Sequence, residues 1–295
     1  SVKRRLLYLF PPVIIMNVSP PTGARAEAPL ANSVEALSLR QQIAYALPTV
    51  GTTFLLAPIG VLPGIYATYF GLSLASIAMV LLIARIFDAV TDPLIGILSD
   101  RYHARTGSRK AFLACGGMLL AFTGYFLYVP VSPHSVHAST HVSTIYFLVF
   151  YLLFYLSATL FDIPHLAWGA ELTSTSAERN SLFSWRAAMV WIGYALFYAV
   201  PLLPFFESNA ITPQTLQWTV LASAFLIMPT LLFSLKAVSN QHGEKDRAHA
   251  RPKNTSHLRL TMLIKNKPLL LFLVTFLFYG ICSGMYGAMS FIYVS

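Results

Sequence analysis

Seven stretches of this chain are long and apolar enough to cross a bilayer, and that feature alone excludes nearly every water-soluble architecture. A hydrocarbon core of about 30 Å needs about 20 apolar residues of helix. Runs that meet this test cover residues 43–70, 74–98, 111–132, 145–170, 185–206, 215–237 and 268–294. Hydrophobic residues make up 56% of the sequence and charged ones 11%, against about 45–50% and about 25% in an ordinary soluble domain. One aqueous core could not bury that excess. The same composition excludes a disordered chain and, despite a net charge of +9, a nucleic-acid-binding domain. Cys115 and Cys282 supply neither a disulfide framework nor a zinc spacing. No cofactor is expected.

Lys and Arg mark the cytoplasmic side of a membrane protein, so their positions predict topology. Five precede the first run, Arg101, Arg105, Arg109 and Lys110 follow the second, and Arg179 and Arg186 follow the fourth. Eight more, from Lys236 to Lys267, follow the sixth, whereas the connectors after the first, third and fifth runs carry none. The expected protein has a cytoplasmic amino terminus, three in-out hairpins forming a six-helix bundle over 41–237, a cytoplasmic central loop over 238–266, and a seventh helix over 267–295. It is an all-α integral membrane protein, expected in a bacterial inner membrane, with the lipid bilayer as its surroundings. Residues 1–40 are expected to be a cytoplasmic or disordered extension or a wrongly assigned start. Lys3-Arg4-Arg5, the apolar run Leu6–Met16 and Ala24-x-Ala26 also fit a signal peptide, a reading that Pro11, Pro12, Pro20 and Pro21 weaken. A start at Ser1 and a stop within Phe291-Ile292-Tyr293-Val294 suggest a piece of a longer chain.

Most of the 11 acidic residues lie in connectors or at membrane edges, but Asp88, Asp92 and Asp162 do not. Each costs about 2.5–3.5 kcal/mol at the centre of a membrane helix, so each needs a partner, a proton, an ion or water. Asp88 and Asp92, at i and i+4, share a helix face with Arg85. One arginine cannot neutralise both. The cluster is therefore either a structural ion pair or a cation site, whose oxygen ligands suit sodium or, with raised affinity for a proton, hydrogen ion. Asp162 lies at a comparable depth on the fourth run, two residues before Pro164, which cannot donate to the helix ladder. His165 beside it is expected to be packed or hydrogen-bonded rather than a proton carrier.

The run Ala84-Arg85-Ile86-Phe87-Asp88-Ala89-Val90-Thr91-Asp92-Pro93-Leu94-Ile95-Gly96, continued by Asp100-Arg101 and by Arg105-x-Gly107-x-Arg109, resembles a family signature. So do Asp162-Ile163-Pro164, Glu171-Leu172-Thr173, Glu178-Arg179, Arg186 and Asn266-Lys267-Pro268-Leu269. Together they are similar to the glycoside-pentoside-hexuronide:cation symporters, the melibiose permease-like branch of the major facilitator superfamily. The resemblance implies a major facilitator-type fold of two six-helix bundles, of which this sequence supplies the first and one helix of the second. It implies a cation site at Asp88 and Asp92, with Arg85 as charge partner and sodium or a proton as coupling ion. It implies substrate contacts from Asp162 and Arg186, and a gating segment comprising Gly96, Asp100, Arg101, Arg105 and Arg109. Positive-inside topology alone would also account for the last three of these.

Two departures touch the sugar half. Alignment on Tyr45 and Gly51 puts Thr53 where the family has a first-helix aspartate, so Thr53 is the expected substrate residue there. Leu166 occupies a tryptophan position, and Trp168 is about 200° further round the helix. The first expectation is a monomeric secondary transporter that couples a sugar or glycoside to a cation by alternating access. A same-fold carrier of a lipid-like solute is the alternative. An intramembrane aspartyl enzyme would leave Asp88 and Arg85 as unexplained costs. Pro48, Pro58 and Pro63 predict a bent first helix.

Overall fold

The computed structural model describes residues 37–130, 142–204, 206, 209–238 and 266–294, with side chains beyond Cys282 left aside. The extension expected over 1–40 and the loop expected over 238–266 fall almost wholly outside the described residues. Among those described the structure is all helical. The elements are α1 (Leu39–Ala46), α2 (Pro48–Leu56), a 3-10 turn (Ala57–Gly60), α3 (Leu62–Phe70), α4 (Leu74–Thr106) and α5 (Lys110–Tyr128). They continue as α6 (Thr144–Glu171), α7 (Ser176–Ala199), a 3-10 turn (Val200–Leu202), α8 (Pro213–Ala237) and α9 (Lys267–Val294). A helix lies over each of the seven apolar runs. Five helical segments, including the compound one that begins at Leu39, are long and apolar enough to cross a membrane.

Local chemistry sets the ends of these elements and corrects three expectations. The first helix starts at Leu39, earlier than its apolar run, because Ser38 and Gln41 form a reciprocal capping box. The second does not stop at residue 98: no breaker follows until Gly107, whose φ of 77° ends α4 in the left-handed region that glycine tolerates. Asp100, Arg101 and Arg105 therefore lie on helix rather than in a loop. Arg186 does not open the fifth helix but sits in its third turn, because Thr175 and Glu178 cap α7 from Ser176.

The prolines of the first segment break it as expected. Pro48 begins α2 and cannot donate back to Ala44, so α1 and α2 are separate helices. Around Pro58 the chain tightens into a 3-10 turn, in which an amide reaches back three residues. Pro58 has no amide hydrogen for Leu55, and that carbonyl instead accepts the Tyr128 hydroxyl at 2.6 Å. Tyr66 Oη in turn donates to Leu127 O at 2.6 Å, so two tyrosines brace the broken segment against α5.

In a bilayer, close packing and hydrogen bonds hold helices together, and small residues let backbones approach. Gly116 on α5 faces the backbone of α6: a Cβ there would lie 2.6 Å from Phe161 N. Gly193 on α7 faces α2, where a Cβ would lie 2.8 Å from both Thr53 Cβ and Val50 O. We expect Gly116→Ala to force α5 and α6 apart and cost about 1–3 kcal/mol, read as a lowered melting temperature in detergent. An unchanged melting temperature would mean that this seam is loose. One buried cluster gathers Leu55, Tyr66, Leu120, Phe147, Phe154 and Phe197; another gathers Tyr45, Leu113, Phe161, Trp168, Leu182 and Leu231. Outside them α4 exposes Met79, Leu82, Ile86, Val90, Leu94 and Ile97, each half or more uncovered. That stripe at three- and four-residue spacing is larger than a water-soluble surface tolerates.

Candidate functional site

The three intramembrane aspartates separate into two groups. On α4, Asp88 Oδ2 lies 3.5 Å from Arg85 Nη1, a long contact, while its other oxygen is buried with no hydrogen-bond partner among the described residues. The Arg85 side chain is two-thirds exposed. It donates to Tyr155 Oη at 3.3 Å and lies 5.2 Å from that ring's centre, within range of a cation–π attraction. Tyr151 Oη donates to Tyr155 Oη at 3.4 Å. Asp92 accepts the Thr159 hydroxyl of α6 at 2.9 Å. Pro93 follows it and withholds a hydrogen from the Ala89 carbonyl one turn back, leaving an oxygen between the two carboxylates along the helix. The neighbourhood is rich in oxygen, and one guanidinium accompanies two carboxylates.

Asp162 does not join that pair. Arg186 Nη2 of α7 donates to Asp162 Oδ1 in an ion pair between α6 and α7. The arginine side chain is mostly buried, whereas the carboxylate remains about half exposed. Contact between α4 and α6 at this depth passes instead through Thr159, almost one turn before Asp162. Thr53 is buried in the α2–α7 seam against Gly193. Leu166 is partly exposed, while Trp168 is buried and meets the Tyr45 ring edge-on at 5.7 Å between centres. The structure thus turns the tryptophan away from the Leu166 face.

The segment from Gly96 to Lys110 does three different things. Gly96 faces α6, with Ile163 Cγ2 4.0 Å from where a Cβ would stand. Arg101 and Arg105 are exposed. Arg109 is 6% exposed and holds three helices at once. Its Nη1 donates to Ser99 Oγ at 2.7 Å and its Nη2 to Asp100 Oδ1 at 2.6 Å. Its Nε and Nη2 both donate to Glu171 Oε1, at 3.0 and 2.8 Å. Burial disfavours the charge of Arg109, but the hydrogen bonds to Glu171 and Asp100 outweigh it and raise the guanidinium's pKa. His103 Nε2 lies 3.7 Å from Glu171 Oε1. Next along, Lys110 Nζ donates to Leu235 O at 2.6 Å and Val238 O at 2.8 Å, capping α8, while lying 5.9 Å from the Trp168 ring centre.

Sequence reasoning missed Glu171, Ser99, Tyr151, Tyr155 and Thr159 as members of these clusters. Glu171 left a signal: an acid in the last turn of a helix faces the negative end of its dipole and needs a cation. The hydroxyls left none.

Comparison with known proteins decides the family. Residues 42–295 match the family described as MFS/sugar transport protein. The chain belongs to that family. As an MFS/sugar transport protein it is an integral, multi-pass membrane protein with a major facilitator-type fold. It is 31% identical over 155 residues to YagG of Escherichia coli, a protein named as a glycoside/cation symporter, covering 51% of this chain and 32% of the relative. It is 26% identical over 160 residues to the inner membrane symporter YicJ of the same organism, covering 54% and 34%. With the uncharacterized symporter YnaJ of Bacillus subtilis it shares 24% over 191 residues, covering 64% and 40%. The matched stretches span about a third to two fifths of those relatives' lengths.

Proposed function

We propose that the protein is a cation-coupled symporter of a sugar or glycoside, working by alternating access, with sodium or a proton as its coupling ion. The imbalance of charge supports this most. Arg85 meets Asp88 alone and Asp92 is met by the Thr159 hydroxyl, so two carboxylates stand beside one guanidinium, while Asp162 is matched one-to-one by Arg186. A membrane protein keeps uncompensated intramembrane charge where a cation repays its cost. In this reading Asp88 and Asp92 hold the ion. Asp162 and Arg186 hold substrate hydroxyls, because an exposed carboxylate edge accepts from them and a guanidinium donates to them. The buried Thr53 supports a lesser part than a first-helix aspartate would play. Gly96, Asp100 and Arg109 form the gate, and Arg101 and Arg105 serve topology. The protein acts as a monomer in the inner membrane with its amino terminus in the cytoplasm.

Uptake of radiolabelled sugars into proteoliposomes holding the full-length protein, under a sodium or proton gradient, tests the reading, since alternating access needs two bundles. Gradient-driven accumulation of a glycoside or monosaccharide is expected. The partly exposed Leu166 favours one competitor, a carrier of amphiphilic solutes, and accumulation of a lysolipid with no response to any sugar would establish that instead.

Topology is tested separately. In a background with Cys115 and Cys282 changed to serine, a cysteine at Ser135 or Ser208 should react with an impermeant maleimide added outside, and one at Ser256 should not. Labelling at Ser256 alone would invert the assignment.

A further inference from the structure

Tyr45 and His165 form a contact that neither the cation site nor the gate requires. Tyr45 is the penultimate residue of α1, three before Pro48, which parts α1 from α2, and His165 directly follows Pro164 inside α6. Both are 0% exposed. Tyr45 Oη donates to His165 O at 2.8 Å, and His165 Nε2 meets Tyr45 O at 3.0 Å. A carbonyl can only accept, so Nε2 carries the hydrogen and the neutral ring presents Nδ1 as an acceptor. That Nδ1 is buried with no partner among the described residues, so the histidine's one donor is committed to α1. The two rings stack with centres 4.3 Å apart and planes 27° from parallel. Gly169, one turn further along α6, makes room: a side chain there would collide with the Tyr45 hydroxyl.

The position of this contact gives it a use. Each helix is weakened at that point by a proline that offers no hydrogen to the carbonyl four residues back. A helix with such a gap bends with less resistance, and a bend there changes the angle at which its two halves present their side chains. Asp162 sits on the other side of Pro164 from His165, one turn away, and holds Arg186 on α7. Resting on the symporter reading, we propose that Tyr45 and His165 are positioning residues for the substrate pair Asp162 and Arg186. They clamp α6 beside Pro164 to the α1–α2 break and so fix where that pair meets the solute. Neither touches the solute itself, because both are wholly buried. The cation residues are on α4, outside this clamp.

The test combines transport with a measurement that needs none. Tyr45→Phe removes the hydroxyl donor and His165→Leu removes the imidazole donor. His165→Gln restores an amide N–H near the position of Nε2. In proteoliposomes, each of the first two should raise the half-saturating substrate concentration about tenfold, the worth of one buried hydrogen bond. The half-saturating ion concentration should stay within about twofold, and His165→Gln should bring the substrate constant back toward the wild-type value. The double variant Tyr45→Phe/His165→Leu should lose less than the product of the two single losses, since either one already releases the clamp.

Independently, spin labels on cysteines at Arg40 and Ala170, both exposed, would report the α1–α6 separation in a Cys115→Ser/Cys282→Ser background. Tyr45→Phe and His165→Leu should broaden that distance distribution, and His165→Gln should leave it narrow. An unbroadened distribution in both loss variants overturns the clamp whatever the protein transports. Equal shifts in ion and substrate constants, or lowered yield with both constants unchanged, would reduce the pair to general packing. Absence of gradient-driven uptake by the wild-type protein would instead overturn the symporter reading, and the distances alone would then decide whether the clamp exists.

Discussion

Asp92→Asn should abolish ion-stimulated substrate binding while leaving measurable affinity for the substrate alone. Asparagine keeps the volume of aspartate and can still accept the Thr159 hydroxyl, which lies 2.9 Å from the carboxylate, so the change removes charge and little else. Losing one of two carboxylates from the ion's ligand set should lower ion affinity about tenfold, the ratio that about 1.4 kcal/mol gives. Asp88→Asn should do the same, its buried oxygen having no partner among the described residues. Asp162→Asn should act differently: substrate affinity falls even at saturating ion. It also strands a mostly buried guanidinium, so Asp162→Asn/Arg186→Gln should recover stability without recovering substrate binding. Linkage adds a constraint, because the factor by which ion improves substrate affinity must equal the factor by which substrate improves ion affinity. Titration calorimetry measures both. If neither Asp88→Asn nor Asp92→Asn altered ion dependence, the cluster would be a structural ion pair with Arg85, and the protein an uncoupled carrier.

Arg109→Met should be the most destabilising single change among the described polar residues. The arginine donates to Ser99, Asp100 and Glu171 from a site only 6% exposed. Removing it forfeits hydrogen bonds to charged groups, each worth about 1.5–3 kcal/mol, with the cost moderated because Asp100 is 68% and Glu171 33% exposed and both can turn to water. Glu171→Gln should cost less, since the amide oxygen still accepts from the guanidinium and Asp100 still carries charge. Arg101→Gln and Arg105→Gln, both on exposed side chains, should leave the melting temperature unchanged within error. Equal losses at all three arginines would show that overall positive charge, rather than the geometry of Arg109, holds this end together.

Sequence and structure agree where hydrophobic length is the signal, and part where side-chain direction is. Every apolar run carries a helix because a bilayer leaves the backbone no other way to satisfy itself within one segment. The ends were less legible. The apolar count stops at Leu98, but helix geometry continues to Gly107, since Asp100, Arg101 and Arg105 are tolerated in a helix once it leaves the hydrocarbon. The charged residues at depth could be found from their cost alone. Their pairing could not, because Asp162 has both Asp92's helix and Arg186's helix beside it, and only the rotation of α6 chooses between them. Hydroxyl partners such as Thr159 and Tyr155 carry no cost that marks them in advance. The reading of His165 as a hydrogen-bonded side chain holds, although its partner, a backbone carbonyl 120 residues away, is invisible to any local pattern.

The tyrosine braces described above grip main-chain oxygens, not side chains. Tyr128 holds Leu55, Tyr66 holds Leu127 and Tyr45 holds His165, in each case through a carbonyl that any amino acid would offer. The hydrogen bond itself asks nothing of the side chain at Leu55 or Leu127, which core packing constrains instead, whereas it depends on the tyrosine on the opposite helix. The anchorage is thus written on both sides of the seam: Tyr45 and Tyr66 reach out from the first segment, and Tyr128 reaches into it from α5.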